Sequence, residues 1–237
     1  MKLMERQLKN AVEKVILERH SVRAFTDQDV SDECIRDILS KAARAPSGTN
    51  TQPWKVYVVV GETKQRITDQ VVATVNAIFR GELKKEQFKP PYLYYSERWF
   101  DPYLRRRREN GLGLYRILDI AKDNKLAMHE QQLRNYEFFN APVGLFFTTH
   151  KELEAGAKMA IAMLMQNIML LAKAQGLDTC PQASWNDYHA LILPILGAGD
   201  DEVFICGMSL GYADESDKVN QLMTTREPVE EFMTFLK

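Results

Sequence analysis

Residues 31–60 constrain this chain most, because three local signals meet there without a gap. Ser31 can cap a helix, with Asp32 and Glu33 well placed at its positive end. Ile35, Ile38, Leu39, Ala42 and Ala43 recur at helical spacing and form its apolar face. Pro46 and Gly48 end it. The run Ala45-Pro46-Ser47-Gly48-Thr49-Asn50-Thr51-Gln52-Pro53-Trp54 is then a turn-forming loop with small hydroxyls and two side-chain amides. Val56 to Val60 is β-branched and nearly all apolar, which predicts a buried strand closed by Gly61.

The same reading extends along the chain. Leu8, Val12, Val15 and Ile16 predict an opening amphipathic helix that ends near Arg19. Ile67, Val71, Val75, Ile78 and Phe79 mark a third helix. From Gly81 to Asn110 the rhythm breaks around Pro90, Pro91 and Pro102, and aromatics crowd in. Such excursions within compact domains often form lids or binding loops. Helical patterns resume around Leu114 to Ile120. Val143–Thr149 and Val203–Leu210 predict buried strands, and Leu177–Cys180 a short one. Lys151–Gln175 predicts a long helix stopped by Gly176, and Asp187–Leu196 a further helix broken by Pro194. Without a regular βαβ alternation, the fold class is α+β. We expect one domain over 1–237, with an excursion at about 81–135.

Composition removes several function classes. Thirty-one basic residues against thirty-two acidic ones give a net charge of −1, unlike the basic excess of a nucleic-acid binder. Arg105-Arg106-Arg107-Arg108 therefore reads as a solvated helix face. Cys34, Cys180 and Cys206 cannot all pair and lack metal spacing, which fits a reducing, cytoplasmic compartment. The four histidines also lack metal-ligand spacing, so no metal site is expected. Met1 to Asn10 is charged and shows no signal peptide. The uncharged apolar run between Lys158 and Lys173 is shorter than the roughly 20 residues of a membrane span, and reads as a helix buried in protein.

The chemistry gathers in two segments. Arg19-His20-Ser21-Val22-Arg23 puts two guanidiniums and a hydroxyl within five residues. Guanidinium offers a planar fork of donors to phosphate oxygens, and alternate residues of an extended segment point the same way. The Pro46–Trp54 loop can hydrogen-bond the carbonyl and imide edge of a planar heterocycle. Taken singly, each segment is as well explained by ordinary surface polarity. Together, Arg-x-Ser-x-Arg, then a helix, then Ala-Pro-Ser-x-x-Asn-x-Gln-Pro-Trp, then a strand, resembles the FMN-dependent nitroreductase family. The match is strong over residues 15–60 and moderate over 140–237. Gly176-Leu177-Asp178-Thr179-Cys180-Pro181-Gln182-Ala183-Ser184-Trp185 resembles the family's loop near flavin N5. Arg226-Glu227-Pro228 resembles its late phosphate contact, although Thr224 and Thr225 stand where many members carry a second basic residue. The Tyr-rich excursion with its arginine cluster looks most like the nitrobenzoate and dinitroaniline reductase branch.

The resemblance implies a mainly antiparallel sheet of four or five strands flanked by helices, in an intertwined homodimer with FMN at the interface. It implies FMN binding by Arg19, His20, Ser21, Arg23, Pro46, Ser47, Asn50, Gln52, Ala183, Ser184 and Arg226, with the 46–52 set supplied by the partner. The apolar helix around Lys158–Ala174 would centre the interface. NADPH or NADH would donate hydride, and a nitroaromatic would accept it in a ping-pong scheme. No side chain is expected as acid or base; Arg23 would stabilise charge on the flavin. Tyr92, Trp99 and Arg105 are expected near the acceptor, with an arginine among Arg98 and Arg105–Arg108 pairing with an acidic acceptor. Quinone or flavin reduction, and reductive dehalogenation of a halophenol, remain open on the same scaffold. A non-catalytic flavin- or anion-binding protein is the reading from a different class.

Overall fold

The computed structural model describes the backbone of residues 2–237 and the side chains of residues 10–237. Among the described residues, seven α-helices and four strands follow in the order α1 (Lys2–Glu18), α2 (Asp32–Ala42), β1 (Lys55–Val59), α3 (Gly61–Phe79), α4 (Tyr103–Ile117), α5 (Lys125–Leu133), β2 (Val143–His150), α6 (Ala155–Ala174), β3 (Asp178–Gln182), α7 (His189–Leu196) and β4 (Glu202–Gly211). The strands form one sheet in the order β1-β2-β4-β3, antiparallel throughout.

Side chains along β2 alternate between the two faces of the sheet, as a two-residue period requires, and all but His150 are buried. Val143, Leu145 and Phe147 face α2 and α6, while Phe146 faces the opposite layer of α3, α7 and the turns at 134–140 and 183–188. Both faces of the central strands are therefore covered. Gly144 and Gly207 make room for aromatic rings: an added Cβ would lie 2.3 Å from Phe138 at the first and 2.4 Å from Trp185 at the second. Phe138, Phe146 and Trp185 interlock there, with ring centroids 4.6–5.6 Å apart.

The predicted elements hold in most places. Ser31 caps α2 by accepting from the Cys34 amide at 3.2 Å. Gly176, with φ +77°, ends α6 through the left-handed conformation expected of it. Leu8 lies outside the described side chains.

Five expectations need correction. β1 is an edge strand, with Val58 40% exposed, because only β2 pairs with it. The strand expected to run to Val60 and be closed by Gly61 ends at Val59, and Gly61, with φ +50°, is already the first residue of α3. α4 begins at Tyr103, eleven residues before the apolar pattern resumes; ion pairing between Arg105 and Glu109 supports its early turns. α5 falls inside the presumed excursion, capped by Asn124 on the Ala127 amide. α6 spans 20 residues and, by length and composition, is apolar enough to cross a membrane. Ala157, Ile161, Leu164, Ile168 and Ala172 nevertheless bury one side of it against the sheet and α2, while Met159 and Met163 on the other side are exposed.

One carboxylate pins the end of the sheet. Glu202 accepts from Lys55 Nζ (2.6 Å), Tyr57 Oη (2.8 Å), Thr148 Oγ1 (2.6 Å) and the Gly199 amide (3.1 Å), so it ties β1, β2 and β4 together. Burial alone would raise its pKa, but these donors outweigh burial and hold the carboxyl at about 2. With the folded value depressed, the stabilisation is complete above the unfolded value of about 4.3 and is lost as pH falls towards 2. Glu202→Gln should cost about 1.5–3 kcal/mol at neutral pH. Its thermal midpoint should also fall less steeply than the wild type's between pH 5 and pH 2, which thermal melts across that window would measure.

Candidate active site

The chain leaves α1 at Glu18 and becomes extended. Ser21 forms a parallel bridge with Thr179 of β3, and the Val22 amide donates to the Thr179 carbonyl at 3.1 Å. Val22 and Ala24 turn inward and are buried. Ser21 and Arg23 point the other way and stay partly exposed, as do Arg19 and His20 before them. The alternation expected of Arg19-x-Ser21-x-Arg23 is therefore real from Ser21 onward.

Asn220, from the distant C-terminal segment, holds this strip in place. Its Oδ1 accepts from the amides of Arg23 (2.7 Å) and Ala24 (3.2 Å), and its Nδ2 donates to the carbonyls of Ala24 (2.8 Å) and Asp214 (2.9 Å). Arg23 Nη1 donates to the Ser21 carbonyl at 3.1 Å. Beneath the strip, burial pushes the Cys180 thiol up to about 11, although Arg23, Ser21 and Arg19 each pull it down. Cys180 therefore stays a protonated thiol, unsuited to nucleophilic work.

β3 runs from this strip to the second predicted contact. Thr179 lies beside Ser21; four residues on, roughly 13 Å at strand rise, come Ala183 and Ser184, which open the turn 183–188. Two buried hydroxyls at the ends of this track, Thr179 Oγ1 and Ser184 Oγ, have no hydrogen-bond partner. Buried polar groups in native proteins are normally satisfied, so the track fits a polar ligand lying along it.

The Pro46–Trp54 loop has an unusual backbone. Thr49, Asn50 and Gln52 have φ of 50°, 60° and 47°, a region that non-glycine residues seldom occupy. The loop is held by Ser47 Oγ, which accepts from the Gln52 amide at 2.9 Å, and by Thr149 Oγ1, which donates to the Pro53 carbonyl at 2.8 Å. Pro46, Asn50 and Gln52 are exposed, and Ser47 is partly so.

Strand order and register place this loop far from the strip. Lys55, just after the loop, pairs with Thr148, and Thr148 with Phe204. Thr179 pairs with Leu210, and Leu210 with Val143. The loop and the strip are thus four strand spacings apart across the sheet, about 19 Å, and five residues apart along it, about 17 Å. They occupy diagonally opposite corners, so one protomer does not bring them together.

Arg226 is also set apart. Its Nη1 donates to the Thr225 carbonyl (2.9 Å) and to Thr224 Oγ1 (2.9 Å). It lines a cavity of about 500 Å³ with Arg105, Arg106 and Thr224, whereas Arg23 lines a separate one with Tyr115, Gln132 and Asn135. In the excursion, Tyr92 Oη donates to the Ile205 carbonyl at 2.6 Å, and burial raises its hydroxyl to about 12. Trp99 lies under the Arg107 guanidinium, 4.8 Å from ring centroid to Cζ. Arg105 is paired with both Glu109 (3.2 Å) and Glu227 (3.1 Å), and Arg106 with Glu227 (2.8 Å).

A family model described as the nitroreductase family matches residues 16–212. The chain belongs to the nitroreductase family. It is 40% identical over 225 residues to the chloronitrobenzene nitroreductase of Comamonas testosteroni, covering 95% of this chain and 96% of that one. It is 37% identical to a 4-nitrobenzoate reductase of Nocardioides sp. (strain LMS-CY), covering 95% and 90%. An FMN and NADPH-dependent nitroreductase from Sphigopyxis sp. strain HMH superposes with a TM-score of 0.89 at 36% identity, covering 95% of this chain and 99% of that structure.

For this nitroreductase-family chain, two residues of the site escaped sequence reasoning. Asn220 lies in a tail with no pattern of its own, nearly two hundred residues from the amides it holds. Gln182 was quoted only as part of a motif, yet it is buried with both ends of its carboxamide engaged. Asn220→Ala would leave the amides of Arg23 and Ala24 without their partner. It should lower stability by about 2–4 kcal/mol and reduce flavin retained after desalting, read by visible absorbance against protein content.

Proposed function

We propose that this chain is an FMN-dependent oxidoreductase that uses NADPH or NADH to reduce nitroaromatic compounds to nitroso and hydroxylamine products. The observation that carries this reading is the Arg19–Ser21–Arg23 strip laid beside β3, with an unpartnered hydroxyl at each end of the track. Arg19 and Ser21 supply charge-assisted donors for the FMN phosphate, and His20 lies between them. Arg23 places a fixed cation where negative charge develops on the ring, a stabilisation larger for the charged state than for the neutral one. The amides of Ala183 and Ser184 serve the N5 edge. Bound FMN supplies the hydride chemistry, accepting from the nicotinamide and donating to the nitro group. No side-chain acid or base is assigned, and water supplies the protons.

The second half of the grip comes from another copy of the chain. Pro46, Ser47, Asn50 and Gln52 sit at the opposite corner of the sheet with their polar ends exposed, so a partner brings them to the strip. The exposed apolar residues Val12 and Ile16 of α1 and Met159 and Met163 of α6 support a homodimer built on these helices. Arg226 approaches the phosphate if its segment shifts on assembly. We treat 1–237 as a single FMN-binding domain, with 81–135 as the lid, acting in the cytoplasm. Tyr92 and Trp99 form the aromatic wall for the acceptor. Because Arg105 and Arg106 are committed to Glu227, an acidic acceptor is better served by Arg98 or Arg108, which make no ion pair among the described residues.

Purified protein should show a flavin spectrum that NADPH or NADH bleaches without oxygen and a nitroarene restores. A protein that stays colourless after incubation with FMN would overturn the reading. Arg19→Ala should weaken FMN binding about 10- to 150-fold, the equivalent of 1.5–3 kcal/mol, in a chain that still folds. Mixing Arg19→Ala chains with Ser47→Ala/Asn50→Ala chains should recover about a quarter of the wild-type sites, because half the dimers are mixed and each mixed dimer has one intact site. No recovery would place both half-sites on one chain.

A further inference from the structure

We infer that Gln182 is a positioning residue for hydride transfer, acting through the turn that begins at Ala183; this rests on the reading that the Ala183 and Ser184 amides meet the flavin. Gln182 is the last residue of β3 and is 3% exposed. Its Nε2 donates to the Asn135 carbonyl at 2.6 Å, and its Oε1 accepts from Ser209 Oγ of β4 at 2.8 Å. A carboxamide held at both ends cannot rotate without breaking a buried hydrogen bond, and a buried polar group left unpaired is costly. The residue immediately before the two amides is therefore fixed by its side chain as well as by its strand pairing with Gly207.

Its two partners give the lock its direction. Ser209 lies in a central strand and is fully buried, so it is an immobile anchor. Asn135 belongs to the turn 134–140, in which Phe138, Phe139 and Asn140 all have φ between 53° and 69°. That turn also receives the Phe25 amide on the Phe139 carbonyl at 3.0 Å, and Asn135 and Phe139 line the same cavity as Arg23. Gln182 thus joins the wall of the Arg23 cavity to the turn at 183. One side chain sets the spacing between the cation assigned to the ring and the amides assigned to N5. Hydride transfer is sensitive to such spacing: a misplacement of about 1 Å can cost on the order of a hundredfold in rate.

The test uses the FMN-loaded enzyme and anaerobic stopped-flow bleaching by NADPH. Gln182→Leu keeps the side chain's bulk and removes both hydrogen bonds. The bleaching rate at saturating NADPH should fall about tenfold, with bound FMN per chain and the NADPH concentration for half-saturation unchanged. Ser209→Ala removes one of the two bonds and should lower the rate two- to threefold, which keeps the test alive if Gln182→Leu does not fold. Added to Gln182→Leu it should cause no further fall, because it acts through the same side chain. Ile67→Val, a destabilising change in α3, is the control for a merely structural effect and should leave the rate unchanged. Wild-type bleaching rates in Ser209→Ala and Gln182→Leu overturn the proposal, as does a fall that only tracks lost FMN or is matched by Ile67→Val. A wild-type protein that binds no FMN overturns the underlying reading instead, and shows itself before any variant is made.

Discussion

The antiparallel register of four strands decides where the two segments proposed to grip the flavin stand. Because β3 is the outer strand beside β4 and β1 the outer strand beside β2, segments that follow one another closely in sequence end up at opposite corners. The strip at 19–23 docks on β3, and the loop at 46–54 feeds β1. Fewer than thirty residues separate them along the chain, and α2 takes up that length in crossing the sheet. The fold thus turns a compact sequence motif into two distant segments, which on the proposed reading a second copy of the chain would bring together.

A few side chains bear an unusual share of this placement. Glu202 ties three strands at the loop end, and Thr149 secures Pro53 just beyond it. At the other corner Asn220 completes the pairing of the strip: its carboxamide satisfies the amides of Arg23 and Ala24 and adds a donor to the Ala24 and Asp214 carbonyls. Gln182 does similar service at the end of β3. In each case the backbone leaves regular pairing close to the site, and a buried or partly buried side chain completes the hydrogen bonding that the sheet cannot supply.

This explains which parts were legible in the sequence. Arg19, Ser21, Arg23 and the Pro46–Trp54 loop are local signals, since residue type and spacing carry them directly. The central strands β2 and β4 were legible because both faces are buried, so their apolar runs are continuous. β1 has the same composition but stands at an edge, and an apolar run cannot say whether its own chain or another copy covers it. α4 starts in Tyr103-Leu104-Arg105-Arg106-Arg107-Arg108, where no apolar period exists and Glu109 and Glu227 compensate the charge. The long-range clamps were not legible at all. Asn220 and Gln182 are ordinary amides until the fold puts carbonyls and amides around them.

A site divided between corners also changes what cofactor binding means for the protein. A ligand that bridges two copies binds the assembled state and not the separate chains, so it stabilises association by mass action, and dilution weakens its binding in return. The loop at 46–54 makes the coupling stronger. Left-handed backbone at Thr49, Asn50 and Gln52 costs free energy, and in a lone chain the exposed loop recovers only local bonds, such as Gln52 Nε2 donating to the Asn50 carbonyl at 3.1 Å. On the proposed reading, the strip of a second copy would give those positive-φ residues further groups to orient. On the proposed homodimer, the strained loop and the exposed methionines of α6 belong to one arrangement, in which features unfavourable to an isolated chain are those that a partner would use.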